Sequence, residues 1–194
     1  LLQDGYRLYQ DIWTDQLPGL IELLWLVFAL GGTSVELGRA VIVALSAIGL
    51  FSTAMLTRQL GGRIGALATV PLLALVPNFF WLSRALLSPD LPSTCLGIAA
   101  LALVGCYVST HRRGWLIFSG LVFASALYIK ATALLVAVPA GLWLLADWWR
   151  SSQKTGHTLF YLAITWGTSV ILPLWRSSSK HKEPSLELSR NYSW

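Results

Sequence analysis

Charged residues are scarce in this sequence of 194 residues: only 12% are charged, whereas 55% are hydrophobic. A soluble domain usually carries about a quarter charged residues. The mean hydropathy of +0.62 lies on the same apolar side. This composition argues against an ordinary water-soluble domain. It predicts an all-α polytopic membrane helix bundle, in which helices satisfy the backbone polar groups within the lipid.

Cysteine is also rare, and the familiar catalytic motifs are missing. The two cysteines, Cys95 and Cys106, lie in one apolar segment, where they are too few for a zinc site and fit the role of small hydrophobic residues. No phosphate-binding loop, G-x-G-x-x-G, H-E-x-x-H or nucleophile-elbow sequence occurs. The net charge of +5 does not predict a nucleic-acid partner, because the basic residues separate apolar segments. They suit membrane topology and anionic headgroups, so the expected partner is the lipid bilayer.

Long apolar stretches predict about six membrane-spanning helices within residues 39–175, because each span needs about 20 apolar residues. The stretch at residues 115–148 is too long for one span, and Lys130 interrupts it near its middle. We therefore expect two short spans that turn near Lys130. Pro71 and Pro77 predict a kink in the span at residues 64–82.

A shorter apolar stretch at residues 20–31 contains Glu22. A helix of this length, at about 1.5 Å per residue, covers roughly half of the hydrocarbon layer. Pro18 before the stretch and Gly31-Gly32 at its end predict where the helix starts and stops. We interpret the stretch as an interfacial helix that follows an outer loop at residues 1–19, and we expect a polar disordered tail at residues 177–194.

Basic residues in the loops predict the orientation of the bundle. If the loop after the first span is cytoplasmic, strict alternation places six basic residues inside and three outside. The inside set is Arg58, Arg63, Arg112, Arg113, Arg150 and Lys154, and the outside set is Arg39, Arg84 and Lys130. This assignment brings the N-terminal segment, the loop from Arg84 to Asp90 and Lys130 to the outer face.

The segment "SRALLSPDLPST" carries one charge of each sign between two apolar stretches, Arg84 and Asp90. Two interpretations stay open for Asp90. In the first, its carboxylate only caps the helix that starts after Pro89. In the second, Arg84 binds a phosphate through forked hydrogen bonds, while Asp90 orients a substrate hydroxyl or a basic neighbour.

Lys130 and the N-terminal aspartates have similar alternatives. Lys130 is either a lysine that reaches the interface from a helix end or a point charge that binds a lipid-linked phosphate. Asp11 and Asp15 lie in "DGYRLYQDIWTDQLPGL" among tyrosine and tryptophan residues. Aspartates with interleaved aromatic rings suit sugar binding, but the same pattern also fits an amphipathic interfacial segment with aromatic anchors.

The order of these motifs resembles a known family. The sequence "G-x-x-x-Y-x-D-x-x-x-D-Q-x-P-G" is followed by "GRAVIVALSAIGL", "RQLGGRIGALAT", "SRALLSPDLP" and "SGLVFASALYIKATALL". Over roughly residues 4–147 the chain resembles membrane glycosyltransferases of the GT-C type. The similar branch is the bacterial one related to protein O-mannosyltransferases and to the enzyme that adds aminoarabinose to lipid A. Residues 1–176 would then be a partial GT-C transmembrane domain.

The resemblance implies a function at the outer membrane face. Family members of this kind transfer a hexose or pentose from a polyprenyl-phosphate donor to a lipid, protein or glycan acceptor. The implied location is a multi-pass protein of the cell membrane, specifically a bacterial inner membrane. No cofactor is implied with certainty, although a divalent metal is compatible with the family.

The resemblance also assigns roles residue by residue. Arg84 and Lys130 would bind the lipid phosphate, with Ile129-Lys130 at the family's "TK" position and isoleucine in place of threonine. Asp90 would orient or bind at the site. Asp15 would contact the acceptor, a metal or Lys130, and Asp11 is a further candidate.

The same resemblance predicts that the chain is an internal fragment that is inactive alone. The family's first helix and its outer acidic pair, which bears the expected catalytic base, would lie upstream of Leu1. A different class of function stays open: a non-enzymatic multi-pass membrane protein, either a transporter segment or an inactive truncated product. Clustering of the charges at one face favours the interfacial transferase, because transporters carry polar residues or broken helices at mid-membrane.

Overall fold

The computed structural model describes residues 17–83, 85 and 88–150 of the chain. Within these ranges the structure is all-α, as the composition predicts. The helices are α1 (Gly19–Gly31), α2 (Val35–Ala74), α3 (Pro77–Leu82), α4 (Asp90–Thr110), α5 (Arg113–Ile129) and α6 (Ala137–Arg150), and a 3-10 helix (Ala131–Val136) lies between the last two. The predicted spanning region beyond residue 150 and the predicted tail at residues 177–194 lie outside the described residues.

Helix α1 begins and ends at the predicted signals. Pro18 occupies the N-cap position, and its carbonyl accepts a hydrogen bond from the backbone N–H of Glu22. Gly32 ends the helix with φ 84°, a conformation that favours glycine because it has no Cβ. The helical boundaries therefore agree with the prediction for residues 20–31, while the interfacial position of this helix stays a prediction.

Helix α2 is two arms rather than one rod. Forty continuous helical residues would extend about 60 Å, twice the hydrocarbon thickness. Gly62 breaks the helix with φ 73° and ψ −164°. The carbonyl oxygen of Thr57 lies 3.4 Å from where a Cβ on Gly65 would stand, although eight residues of straight helix would cover about 12 Å. The chain therefore turns back sharply at Gly62, as expected for two successive spans.

The predicted kink in the second span occurs at Pro77 and not at Pro71. Pro71 lies inside α2, which continues to Ala74. Val76 is extended, with φ −70° and ψ 113°, which is the conformation that a following proline favours. Pro77 then starts the short helix α3, where its missing N–H leaves no hydrogen bond unmade.

Helices α4 and α5 form the central antiparallel pair of the described bundle. The hydroxyl of Ser119 donates to the carbonyl of Ala100 over 2.9 Å, and the hydroxyl of Ser93 donates to the carbonyl of Ala126 over 3.1 Å. Both serines are almost fully buried. Small residues at these positions allow the backbones to approach, which is how helices associate in lipid.

The other helices pack around this pair. The first arm of α2 runs parallel to α4, because Gly49 faces Cys95 and Gln59 contacts Ala102. At Lys130 the chain leaves α5 and reverses into the 3-10 helix and α6, which confirms the predicted turn. One buried apolar cluster joins α4, α5 and α6: Ala100, Val104, Tyr107, Leu116, Phe123, Ala140 and Leu144.

Many large apolar side chains of the described helices face outward, among them Phe51, Ile64, Leu67 and Phe118. Two described helices, α2 and α4, are long and apolar enough to span a membrane, and α1, α5 and residues 131–147 form shorter apolar helices. The fold is therefore all-α with two spanning candidates by length. The break in α2 divides the first of these candidates, and the finer prediction of about six spans stays a prediction.

Candidate functional site

An ion pair joins the start of α4 to the end of α5: Lys130 Nζ donates to Asp90 Oδ1. The Lys130 side chain is 28% exposed and that of Asp90 is 55% exposed. At this degree of exposure the pair is solvated, so it contributes little to stability. Both charges are nevertheless held at one end of an apolar bundle, where they are accessible to a charged ligand.

Asp90 reaches this position because it opens α4. Pro89 occupies the N-cap, so Asp90 is the first residue of the helix and not its cap. A carboxylate in the first turn interacts favourably with the helix dipole. The interpretation of Asp90 as a helix cap is therefore wrong. Its carboxylate instead interacts with the N-terminal end of the helix dipole and with Lys130.

Lys130 reaches the same end because α5 stops at Ile129. The backbone N–H of Lys130 still donates to the carbonyl of Ala126 over 3.0 Å, but its own backbone is extended, with φ −155° and ψ 132°. Ser93 on α4 also contacts the carbonyl of Lys130 over 3.4 Å. The side chain thus leaves the helix axis and meets α4 rather than continuing along α5.

Helix α1 packs against the same turn. A Cβ added to Gly19 would collide with the backbone carbonyl of Tyr128, so only glycine permits this approach. The hydroxyl of Tyr128 donates to Glu22 Oε2 over 2.7 Å. Beside these contacts, Leu20, Leu24, Ile42 and Ile129 form a second buried apolar cluster.

The structure therefore brings together two of the five predicted site residues, Asp90 and Lys130. Asp11, Asp15 and Arg84 lie outside the described residues, so their roles stay predictions. Sequence reasoning missed Glu22 and Tyr128 as members of this end of the bundle. Glu22 gave one signal, since an acidic residue inside an apolar helix needs a partner.

The chemistry of this end suits an anion. An ammonium group has three N–H donors, and the contact with Asp90 uses one of them. The others can bind a phosphate oxygen. Among the residues that the structure describes, no three histidine, cysteine, aspartate or glutamate side chains are grouped as a metal site would need.

Comparison with protein families gives a match over residues 17–176, to the family described as dolichyl-phosphate-mannose-protein mannosyltransferase. Neither the comparison with curated proteins nor the comparison with solved structures gave a match. The matched range covers every described helix and includes both members of the ion pair. On this evidence the chain belongs to the dolichyl-phosphate-mannose-protein mannosyltransferase family, a family of membrane-embedded glycosyltransferases.

Proposed function

We propose that this chain forms part of a glycosyltransferase that moves a sugar from a polyprenyl-phosphate donor to a lipid, protein or glycan acceptor at the outer membrane face. Family membership supports the general reaction. The observation that carries the proposal for this chain is the Asp90–Lys130 pair at one end of the apolar bundle. A lipid-linked phosphate has to be bound near the membrane surface, because its lipid tail stays in the bilayer while its headgroup meets water.

The proposed role of Lys130 is to bind the donor phosphate. When the bond between the sugar and the phosphate breaks, negative charge grows on the leaving phosphate, and a nearby cation stabilises that charge. Lysine acts there as a compact point charge. Arg84 is proposed to add a forked contact to the same phosphate.

Asp90 is proposed to hold Lys130 in place and to orient the acceptor or a neighbouring base. Its contact with Lys130 Nζ supports the first of these roles. The roles proposed for Asp15 and Asp11, contacts with the acceptor, rest on the resemblance of the sequence around them and on the aromatic residues beside them, because both residues precede the matched range. The acceptor and the sugar are left at the level of chemical class.

Donor binding provides the test. The chain is reconstituted in nanodiscs and titrated with radiolabelled polyprenyl-phosphate mannose, first as wild type and then as Lys130→Met. Loss of a hydrogen bond to a charged group should weaken binding by about tenfold or more, whereas Lys130→Arg should retain most of it. Arg112→Met is the matched control, because Arg112 is an exposed cation at the opposite end of α5.

The possible results separate two errors. If wild type does not bind the donor, the proposed function is wrong for this chain. If wild type binds but Lys130→Met and Arg112→Met bind equally well, the donor site lies elsewhere and the role of Lys130 is wrong. A titration with polyprenol lacking phosphate and sugar shows how much of the binding comes from the lipid chain alone.

A further inference from the structure

The contact between Glu22 and Tyr128 links α1 to the turn that carries Lys130. The two residues are 106 positions apart in the sequence, and their hydrogen bond of 2.7 Å joins the first turn of α1 to the last turn of α5. A hydrogen bond to an ionised carboxylate is stronger than one between neutral groups. It also gives the carboxylate a hydrogen-bond donor within an apolar helix, where ionised groups are costly.

The same helix fixes the chain on both sides of this hydrogen bond. Gly19 rests on the carbonyl of Tyr128, so α1 and α5 approach to backbone distance. The next residue, Ile129, is buried against Leu20 and Leu24 of α1. Contacts from α1 therefore hold the last two residues of α5, and Lys130 follows immediately.

We propose that Glu22 and Tyr128 are positioning residues: they hold the end of α5 so that Lys130 stays paired with Asp90 and directed at the donor phosphate. Lys130 is in the extended conformation and has left the regular helix. Its direction therefore depends on where the helix before it stops. Contacts at Tyr128 and Ile129 determine that point, and the N-terminus of α4 supplies Asp90. The donor-binding part of this inference rests on the proposed function, but the positioning of Lys130 does not.

The test measures the accessibility of Lys130 directly. The full chain in nanodiscs is treated briefly with acetic anhydride, and mass spectrometry follows acetylation of Lys130, with the other lysines as internal reference. Tyr128→Phe removes only the hydroxyl and should speed acetylation of Lys130 by about tenfold or more, the effect of losing a hydrogen bond to a charged group. Glu22→Leu should give the same increase.

Conservative rescue distinguishes positioning from packing. Glu22→Gln keeps an oxygen that accepts from Tyr128 and should leave the acetylation rate close to that of wild type. Gly19→Ala perturbs the same contact by steric collision, and should also raise the rate. Tyr107→Phe is the matched control, because Tyr107 lies near the opposite end of α4 and contacts His111.

Each result counts for or against the proposal. An unchanged rate in Tyr128→Phe and Glu22→Leu overturns it, and so does an equal increase in Tyr107→Phe, which would indicate general loosening. Donor binding is then measured on the same variants. Faster acetylation with unchanged donor affinity would mean that the Glu22–Tyr128 contact holds Lys130 in place but has no role in donor binding. If wild type itself does not bind the donor, only the proposed function is wrong.

Discussion

Replacing Gly49 by alanine tests how closely the first arm of α2 packs on α4. A methyl group at Gly49 would collide with Cys95 Sγ and would stand 2.7 Å from Cys95 Cβ. The Cα of Cys95 would lie 3.2 Å from the same methyl group, so rotation of the Cys95 side chain cannot relieve the collision alone. Overpacking of this kind costs about 1–3 kcal/mol. For a chain of this size that corresponds to roughly 2–4 °C in melting temperature per kcal/mol.

The two cysteines provide the assay. Cys95 and Cys106 are both buried and free, so a thiol-reactive fluorophore reports unfolding when they become accessible. Thermal unfolding in detergent should show Gly49→Ala melting below wild type. Gly141→Ala is the matched control, because nothing lies within 4 Å of a methyl group there. Alanine should leave that variant unchanged or slightly more stable, since glycine is the weaker helix former.

The double variant Gly49→Ala/Cys95→Gly makes the test specific. In this variant the glycine is on α4 and the side chain is on α2, so the collision disappears. Cys106 remains and still reports unfolding. Part of the lost stability should return, although glycine inside α4 costs about 1 kcal/mol itself. The reasoning is refuted if Gly49→Ala melts like Gly141→Ala, or if the single losses simply add in the double variant, because residues in contact should couple.

Three further predictions follow from the described contacts. Gly62→Ala should destabilise the protein by about 1–3 kcal/mol, because φ 73° with ψ −164° is accessible almost only to glycine. Gly61→Ala is the control in the same thermal assay and should not be destabilised in this way, because a methyl group there meets open space. Ser119→Ala removes the hydroxyl that bonds to the α4 backbone and should cost about 0.6 kcal/mol, the average for such contacts in membrane proteins; a steric-trapping measurement in bicelles resolves a change of this size. A methyl group on Gly105 would collide with Gln59 and would stand 2.7 Å from the ring of Trp143, so Gly105→Ala should lower the melting temperature. Adding Gln59→Ala removes the first of these contacts and should restore part of the loss.

Local signals in the sequence predicted the local parts of the fold. Pro18 and the Gly31-Gly32 pair mark the two ends of α1, because each changes what a single backbone position can adopt. The turn at Lys130 follows from the length of the apolar stretch, which no single span could accommodate. Pro71 and Pro77 together predict a kink, but only packing and the local backbone decide that α2 continues through Pro71 and ends before Pro77.

Contacts between distant residues could be predicted only where topology limited the choice. Alternation of the spans placed Asp90 and Lys130 at one face, and the structure shows them in contact. Nothing in the sequence pairs Glu22 with Tyr128, because that contact depends on how a short helix lies across the end of another. The roles of Asp11, Asp15 and Arg84 depend on a part of the chain outside the described residues, so composition and resemblance alone support them.

The register between α4 and α5 explains why the ion pair falls at the end of the bundle. Two buried hydroxyls, those of Ser93 and Ser119, each bond to a carbonyl of the opposite helix. Antiparallel helices fixed at two points seven residues apart have one register, and this register brings Asp90 beside Lys130. A slip of one turn would move one helix by about 5.4 Å relative to the other, which would break both hydrogen bonds and separate Asp90 from Lys130. The buried serines therefore select the alignment in which Asp90 and Lys130 meet, and the position of the candidate phosphate site follows from the packing of apolar helices.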